Sequence, residues 1–235
     1  MPATPLRPVG RVLVTGGASG LGAAVADAVV EAGGTPVVLD LDTGGVASGV
    51  LARDVDVTDR PAVERAVIEV AEELGGLDAV VTAAGIDRPA KLEELSGEEW
   101  ERIVAVNLFG TVSTVRAALP YLEASHGRVV TVASSLALRP LSDATAYSAS
   151  KFAVLGFSRA LAAETRGRLG VTTLIPAGMR TKFFDGRTEQ YKPGPDAQLN
   201  DPADVARSVV FVLQQPQGVE VRELAIFPEE EPSWP

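Results

Sequence analysis

The sequence predicts an α/β fold in which helices cover both faces of a parallel sheet of about seven strands. Short apolar runs alternate with longer amphipathic segments at intervals of roughly thirty residues, which is typical of successive strand and helix units. In addition, the first apolar run leads through a glycine-rich turn into a helical stretch. The 235 residues, 46% of them hydrophobic, can bury one sizeable core, so we expect a single domain over residues 1–235.

The predicted elements follow from hydrophobic periodicity. The strands are the short apolar runs Arg11–Thr15, Pro36–Asp40, Val50–Asp54, Ala79–Thr82, Arg128–Ala133, Thr172–Ile175 and Glu223–Phe227. The helices lie between them at Leu21–Ala32, Pro61–Leu74, Glu98–Glu123, Ala146–Thr165 and Pro202–Gln214.

Three residues bear on where these helices begin and end. Ser96 precedes Glu99 with the spacing of a capping box, and Pro61 suits the first turn of a helix. Pro120 lies inside the longest predicted helix. We expect it to kink or end that helix, because proline lacks the backbone donor and its ring clashes with the preceding turn.

Composition excludes several classes of function. The 21 basic and 31 acidic residues give a net charge of −10, which repels nucleic acid and anionic membrane surfaces. The chain contains no cysteine, so it has no disulfide, thiolate catalyst or cysteine-ligated metal, and its one histidine, His126, is best interpreted as part of a surface turn. We therefore expect no nucleic-acid partner, no membrane partner, no metal centre and a cytoplasmic location.

The glycine-rich turn spans Thr15–Gly22 and contains Gly16, Gly20 and Gly22. Glycine permits positive φ angles and close approach of the backbone to a ligand, and the N-terminus of the following helix attracts phosphate. The spacing is neither the usual Gly-x-Gly-x-x-Gly pattern nor a P-loop, since no Gly-Lys-Ser/Thr follows. A tight turn that binds nothing remains an alternative for the glycines alone.

Tyr147 and Lys151 are four residues apart, and Ser134 lies thirteen residues upstream of the tyrosine. Residues four apart share a helix face, so a Lys ammonium there can stabilise the phenolate and lower the Tyr pKa from about 10 by roughly 1–3 units. A serine hydroxyl can hydrogen-bond a substrate oxygen whose charge changes. Alone, the pair fits equally a half-buried aromatic beside a solvated lysine, so the interpretation needs a cofactor site in the same chain.

Together, these motifs resemble the short-chain dehydrogenase/reductase family in its short, single-domain form. The resemblance covers nearly the whole chain and implies a doubly wound, Rossmann-type fold. It also implies hydride transfer between NAD(H) and a secondary alcohol or ketone. The matching features, in order, are Thr15–Gly22, Asp54 and Val55, Ala83–Gly85, Asn107, Ser134, Tyr147 with Lys151, and Pro176 followed by Thr181.

The resemblance assigns catalytic roles to four residues. Tyr147 passes the proton and Ser134 polarises the substrate oxygen. Lys151 lowers the tyrosine pKa and holds the nicotinamide ribose. Asn107, a polar residue in an apolar stretch, keeps its helix kinked and supports a water-mediated proton relay from Lys151. Ser135 is the alternative to Ser134, but the interval of thirteen residues to Tyr147 favours Ser134.

The resemblance also implies a set of cofactor contacts. Asp54 and Val55 meet the adenine edge, Ala84 and Gly85 approach the adenosine ribose, and Thr82-Ala83 replaces the common Asn-Asn. Ala177 replaces a glycine next to the nicotinamide, so the backbone there is expected to differ. The full set of cofactor residues is Gly16, Ser19, Gly20, Leu21, Asp40, Asp54, Val55, Ala84, Gly85, Tyr147, Lys151, Pro176, Met179 and Thr181.

Asp40 favours NAD over NADP. It ends the second strand, where dinucleotide-binding folds place the acid that accepts hydrogen bonds from the ribose hydroxyls. The 2′-phosphate of NADP would lie beside this carboxylate, and at about 4 Å each unit charge would cost up to about 4 kcal/mol at an effective dielectric near 20. Ser19 stands where NADP users of the family often carry a basic residue. Asp42 competes with Asp40 for the role, and a simple turn cap is a third interpretation.

The substrate and the assembly stay open at this level. Apolar residues including Leu136 and Leu141 point to a lipophilic ketone or secondary alcohol, whereas four basic residues leave an acidic or CoA-linked substrate open: Arg88, Lys91, Arg139 and Arg187. A catalytically silent NAD-binding redox sensor or scaffold is the alternative function. Sugar-nucleotide epimerases share the Tyr-x-x-x-Lys motif, but they need a larger substrate domain. The family resemblance implies a homodimer or homotetramer.

Overall fold

The computed structural model of the chain describes residues 4–230, so the first three and last five residues of the predicted domain lie outside it. Its centre is one parallel sheet with strand order β3-β2-β1-β4-β5-β6-β7. The strands are β1 (Arg11–Thr15), β2 (Thr35–Asp40), β3 (Leu51–Asp54), β4 (Ala79–Thr82), β5 (Arg128–Val132), β6 (Gly170–Pro176) and β7 (Glu223–Ile226).

The predicted doubly wound parallel sheet is therefore confirmed. All seven predicted strands exist, and the largest shift in a boundary is at β6, which begins at Gly170, two residues before its predicted start. Because β1 pairs with both β2 and β4, the winding of the chain reverses between β1 and β4. Ligands of such sheets bind in the crevice beyond the carboxyl ends of the strands at this reversal.

Six α-helices form the two outer layers. They are α1 (Gly20–Glu31), α2 (Arg60–Leu74), α3 (Gly97–Val104), α4 (Gly110–Ser125), α5 (Thr145–Glu164) and α6 (Pro202–Leu213). One layer contains α1 and α6, and the other contains α2, α4 and α5. Successive strand residues face opposite layers, so Leu13 packs toward α2 and α4, while Val12 and Val14 pack toward α1 and α6.

The predicted starts of two helices are confirmed. The Ser96 hydroxyl accepts a hydrogen bond from the Glu99 amide at 3.2 Å, which caps α3. Pro61 occupies the first turn of α2, and the Asp59 carboxylate caps that helix by accepting a hydrogen bond from the Ala62 amide at 3.1 Å.

The break in the long predicted helix lies elsewhere than expected. One turn of π-helix, Ala105–Phe109, separates α3 from α4, and α4 continues through Pro120 to Ser125. Pro120 therefore does not end the helix, which was one of the two outcomes expected of it. Burial of Ala118 and Leu122 around it fixes the last turns of α4 in the core, which offsets the loss of one backbone hydrogen bond at the proline.

The helical run Gly97–Ser125 is, among residues 4–230, the one that is long and apolar enough to cross a membrane. Its inner face packs on the sheet and on α2, with Val115 and Leu122 almost completely buried. These contacts are those of a core helix.

Candidate active site

The carboxyl ends of the strands open into one cleft with a cavity volume of about 890 Å³. This is the size of a pocket that takes a cofactor or a drug-sized ligand. Its walls are the segments that follow the strands β1 to β6 together with one side of α5. Of the sequence-predicted site residues, those that line it are Gly16, Ser19, Gly20, Leu21, Asp40, Val55, Ala84, Gly85, Ser134, Tyr147, Lys151, Pro176, Met179 and Thr181.

The glycine turn has the geometry of a cradle for a ligand. Gly16 has a φ of +69°, and a Cβ there would lie 2.6 Å from the Ala84 amide nitrogen. A Cβ on Gly22 would overlap the carbonyl oxygen of Gly16. Because α1 begins at Gly20, its first amides and the positive end of its dipole face the cleft. The turn therefore fits a phosphate-containing group.

Asp40 reaches back from β2 to this turn. One carboxylate oxygen accepts a hydrogen bond from the Ala18 amide at 2.9 Å, and the side chain lines the cleft. Asp42 instead accepts a hydrogen bond from the Gly44 amide at 2.9 Å and is absent from the cleft wall. Of the two candidate acids, the structure thus brings Asp40 to the place where a ribose would lie beside the first turn.

Asp54 is not part of the cleft, contrary to expectation. It ends β3, and its carboxylate accepts hydrogen bonds from the amide (2.9 Å) and hydroxyl (2.7 Å) of Thr43, which lower its pKa. Val55 lines the cleft as expected, and so do Asp56 and Val57. Two Asp-Val pairs follow each other there. The second acid, Asp56, lines the cleft, whereas Asp54 at the strand end binds the neighbouring loop.

Ser134, Tyr147 and Lys151 meet at the centre of the cleft. The Tyr147 hydroxyl lies close enough to Ser134 for the serine to lower its pKa. The Lys151 Nζ lies 5.6 Å from the centroid of the Tyr147 ring and donates a hydrogen bond to the Val132 carbonyl at 2.8 Å. Ser135 also lines the cleft, but it begins a short 3₁₀ turn over Ser135–Ala137, whereas Ser134 is the serine that acts on the tyrosine pKa.

Burial favours the neutral forms of Tyr147 and Lys151, the two residues of the helix pair. It raises the pKa of Tyr147 to about 12, and the negative charge of Asp87 adds to this effect. Ser134 and the positive charge of Arg187 oppose it. Burial also lowers the pKa of Lys151 to about 8, against the attraction of Asp87. The expected lowering of the tyrosine pKa by Lys151 is therefore not found, since loss of water around the phenol outweighs it.

Asn107 lies in the π-helical turn and is completely buried. Its side chain forms two hydrogen bonds with the Ile86 backbone, accepting from the amide at 2.8 Å and donating to the carbonyl at 3.0 Å, and it donates to the Ser150 hydroxyl at 3.0 Å. A Cβ on Gly85 would lie 3.4 Å from the Asn107 Oδ1 and 3.6 Å from the Lys151 Nζ. Asn107 thus fixes the backbone beside Lys151 without lining the cleft.

The segment after β6 returns to the glycine turn. The Thr181 side chain lies about 3.5 Å from the position of a Cβ on Gly20, which places it beside the phosphate-binding turn. Ala177 donates its amide to the Ile226 carbonyl at 2.9 Å and has no positive φ, so alanine fits here without strain. The backbone strain that an alanine would cause at a position of positive φ is therefore absent.

The opposite end of the cleft contains an ion pair that the sequence interpretation missed. Asp87 follows β4 and Arg187 follows β6, and their Oδ2 and Nη2 atoms lie 2.9 Å apart. The two residues are a hundred positions apart, so no local pattern could have paired them. Of the other basic residues named as acid-binding candidates, Arg88 pairs with Glu99 at 2.7 Å.

The described residues 4–230 contain no cluster of three or more His, Cys, Asp or Glu side chains able to hold a metal ion. The polar groups of the cleft include a glycine turn at a helix N-terminus, a carboxylate beside that turn and two hydroxyl groups beside a lysine. These groups fit a dinucleotide that carries two phosphates and two riboses.

Several proteins of known activity or structure are similar to this chain. D-threitol dehydrogenase of Mycolicibacterium smegmatis is 38% identical over 220 residues, which cover 85% of this chain and 84% of that protein. Glycine betaine reductase ATRR of Emericella nidulans is 35% identical over 94% of this chain, and this chain matches 19% of that protein's length.

Two solved structures share the fold. An alcohol dehydrogenase from Thermococcus sibiricus, complexed with 5-hydroxy-NADP, matches with a TM-score of 0.83 and 27% sequence identity. The match covers 96% of this chain and 100% of that chain. A 3-ketoacyl-(acyl-carrier-protein) reductase from Brucella melitensis, complexed with NADH, matches with a TM-score of 0.83 and 26% sequence identity. The match covers 92% of this chain and 96% of that chain.

The family model described as short chain dehydrogenase matches residues 10–192, which include the glycine turn, Asn107, Ser134, Tyr147 and Lys151. The match spans more than half of the chain and includes every residue that lines the cleft. The chain is a member of the short-chain dehydrogenase family of oxidoreductases.

Proposed function

We propose that the protein is an NAD-dependent alcohol dehydrogenase or carbonyl reductase, in which Tyr147 transfers the proton to or from a secondary alcohol or ketone. The single observation that supports this most is that Ser134, Tyr147 and Lys151 meet in the cleft that also holds the glycine turn. A bound nicotinamide supplies the hydride acceptor for oxidation and the hydride donor for reduction.

The residues of the cleft handle the proton and the substrate oxygen. In alcohol oxidation the C–H bond breaks and its electron pair leaves as hydride, while the O–H proton passes to Tyr147 and then to solvent. Ser134 donates a hydrogen bond to the substrate oxygen, and the Lys151 ammonium favours the phenolate during the transfer. In ketone reduction, Tyr147 starts as the neutral phenol and gives its proton to the oxygen.

The dinucleotide would lie along the cleft from β2 to β6. Gly16, Ser19, Gly20 and Leu21 would hold the pyrophosphate together with Thr181. The Asp40 carboxylate would accept hydrogen bonds from the adenosine ribose, which supports NAD, because a 2′-phosphate would be repelled there.

The remaining contacts follow the same path. Asp56 and Val57 replace Asp54 at the adenine end, beside Val55. Ala84 and Gly85 would approach the ribose, and Pro176 and Met179 would border the nicotinamide, whose ribose would bond to Tyr147 and Lys151.

A catalytically silent NAD-binding sensor or scaffold is the second candidate. It is disfavoured because Ser134, Tyr147 and Lys151 all lie in the cleft, and binding of a dinucleotide alone does not require all three. The cytoplasmic location, the small-molecule substrate and the homodimeric or homotetrameric assembly expected from the sequence belong to the same proposal.

The function is tested by following NADH formation by absorbance across secondary alcohols, hydroxysteroids, hydroxyacyl thioesters and sugar alcohols, with NADP run in parallel. We expect reduction of NAD by at least one class of alcohol and slower reduction of NADP. Tight binding of NAD with no NADH formed from any alcohol would instead favour the silent sensor.

A further inference from the structure

The Asp87–Arg187 pair lies in the substrate end of the cleft and has no part in the proton transfer described above. The two side chains are 6% and 12% exposed, and both line the same cavity as Tyr147. Moving two charges out of water costs free energy that their attraction often fails to recover. A buried pair inside a cleft is therefore better explained by a ligand than by a gain in fold stability.

The aromatic side chains place Arg187 near the reacting group. Its guanidinium lies 5.0 Å from the ring of Phe183 and 4.7 Å from the ring of Phe184. The Phe183 ring is in turn 5.7 Å from the Tyr147 ring. Asp87 and Arg187 also act in opposite directions on the pKa of Tyr147, so both charges lie within electrostatic reach of its hydroxyl group.

Arg187 is held in place by its neighbours. Its Nη2 atom donates to the Asp87 carboxylate at 2.9 Å, and its Nη1 atom lies 3.5 Å from the Tyr191 carbonyl oxygen. The charged pair is therefore a fixed polar part of the cavity wall beside Tyr147. There it can bind a second oxygen of the substrate, apart from the one that reacts at Tyr147.

The charges indicate which kind of oxygen fits. The positive charge of Arg187 is already balanced by Asp87, so a substrate carboxylate placed here would meet a like charge at close range. A neutral hydroxyl has no such conflict, because it donates to the Asp87 carboxylate and accepts from Arg187. The same balance argues against the acidic substrates that the basic residues alone had left open.

We propose that Asp87 and Arg187 bind a second hydroxyl of the substrate and so select neutral vicinal diols and polyols over simple alcohols and hydroxy acids. This inference rests on the alcohol-oxidising function proposed above. The reacting carbon loses hydride to NAD⁺ and its hydroxyl proton to Tyr147, which yields a hydroxyketone. The second hydroxyl stays on Asp87 and Arg187 and is chemically unchanged.

Matched substrate pairs test the proposal directly. The kcat/KM of NADH formation is measured for 2-butanol against 2,3-butanediol and for cyclohexanol against trans-1,2-cyclohexanediol, with 3-hydroxybutyrate as the acid. We expect each diol to exceed its simple alcohol by about tenfold or more, as one hydrogen bond to a charged group allows. Simple alcohols or the hydroxy acid that match or exceed the diols would overturn the inference.

A double variant, Asp87→Asn with Arg187→Gln, removes both charges; Asn keeps the shape of Asp, whereas Gln is shorter than Arg and lacks its guanidinium donors. We expect it to bring the diol-to-alcohol ratio of kcat/KM down to about one. The control is Arg88→Gln, because Arg88 follows Asp87 in the chain but pairs with Glu99 outside the cavity lining, and it should keep the wild-type ratio.

A structural role for the pair predicts another result. Disruption of the segment around Phe183 and Phe184 would lower both members of a substrate pair together, and an unchanged ratio in the double variant would overturn the inference. Failure of the proposed function is distinguishable from both, since the wild-type protein would then form NADH from none of the alcohols.

Discussion

At the scale of single residues, the decisive property of Tyr147 is that it stays protonated at neutral pH. Burial raises its pKa to about 12, and burial lowers the pKa of Lys151 to about 8. A neutral phenol is the correct starting form for a proton donor and the wrong one for a proton acceptor. Reduction and oxidation therefore place opposite demands on the same residue.

The two directions of the reaction should accordingly differ in their pH dependence. Because deprotonation of Tyr147 is uphill, kcat/KM for alcohol oxidation should rise by up to about tenfold per pH unit between roughly pH 6 and pH 8. Ketone reduction, which uses the protonated form, should change little over that range. Initial rates in both directions at constant ionic strength check this. Oxidation that is flat while reduction falls would mean that the phenol titrates well below neutrality.

Asp40 is the residue on which the choice of cofactor rests. Asp40→Ala removes the carboxylate that would repel a 2′-phosphate, so the ratio of kcat/KM for NAD to that for NADP should fall by about fivefold or more. Asp42→Ala serves as the matched control, because its carboxylate binds the Gly44 amide away from the cleft. An unchanged ratio in Asp40→Ala would move cofactor discrimination to another residue.

At the scale of elements, the π-helical turn between α3 and α4 explains how a polar residue became part of an apolar helix. The wider turn presents Asn107 to the loop after β4, where it forms two hydrogen bonds with the Ile86 backbone. That loop carries Gly85, which approaches both Asn107 and Lys151. The turn therefore connects one helix to the position of Lys151 on another.

Asn107→Ala should weaken both the fold and the site. It leaves the amide and carbonyl of Ile86 without their partner, so we expect the free energy of unfolding to fall by about 2–3 kcal/mol and turnover to fall with it. Ser150→Ala is the control, since it removes one of the Asn107 hydrogen bonds and leaves both bonds to Ile86 in place. Urea denaturation and steady-state rates give the comparison. Equal stability and equal turnover in the two variants would contradict a positioning role.

At the scale of the whole molecule, the sequence predicts the layer architecture well because strands and helices differ in hydrophobic period. It also predicts the glycine turn and the Tyr147–Lys151 pair, since each depends on residues close in the chain. The sequence also favours Asp40 over Asp42 and Ser134 over Ser135. The folded chain brings Asp40 but not Asp42 to the cleft, and both serines line it.

The features that sequence reasoning missed depend on distant contacts. Asp54 looks like a site residue until its carboxylate is seen to bind Thr43. Asp87 and Arg187 have no local signature, and Pro120 is tolerated because tertiary packing holds the helix around it. The direction of the Tyr147 pKa shift depends on burial, which spacing alone does not reveal.

The most direct test of the central claim, that Tyr147 carries the proton in a cleft that binds NAD, is Tyr147→Phe assayed for both turnover and cofactor binding. Removing the hydroxyl deletes the proton carrier and leaves the ring packed against Phe183. We expect turnover to fall by about two to four orders of magnitude while the Kd for NADH, measured by fluorescence titration, changes by less than about threefold. Turnover at the wild-type level in this variant would contradict the account.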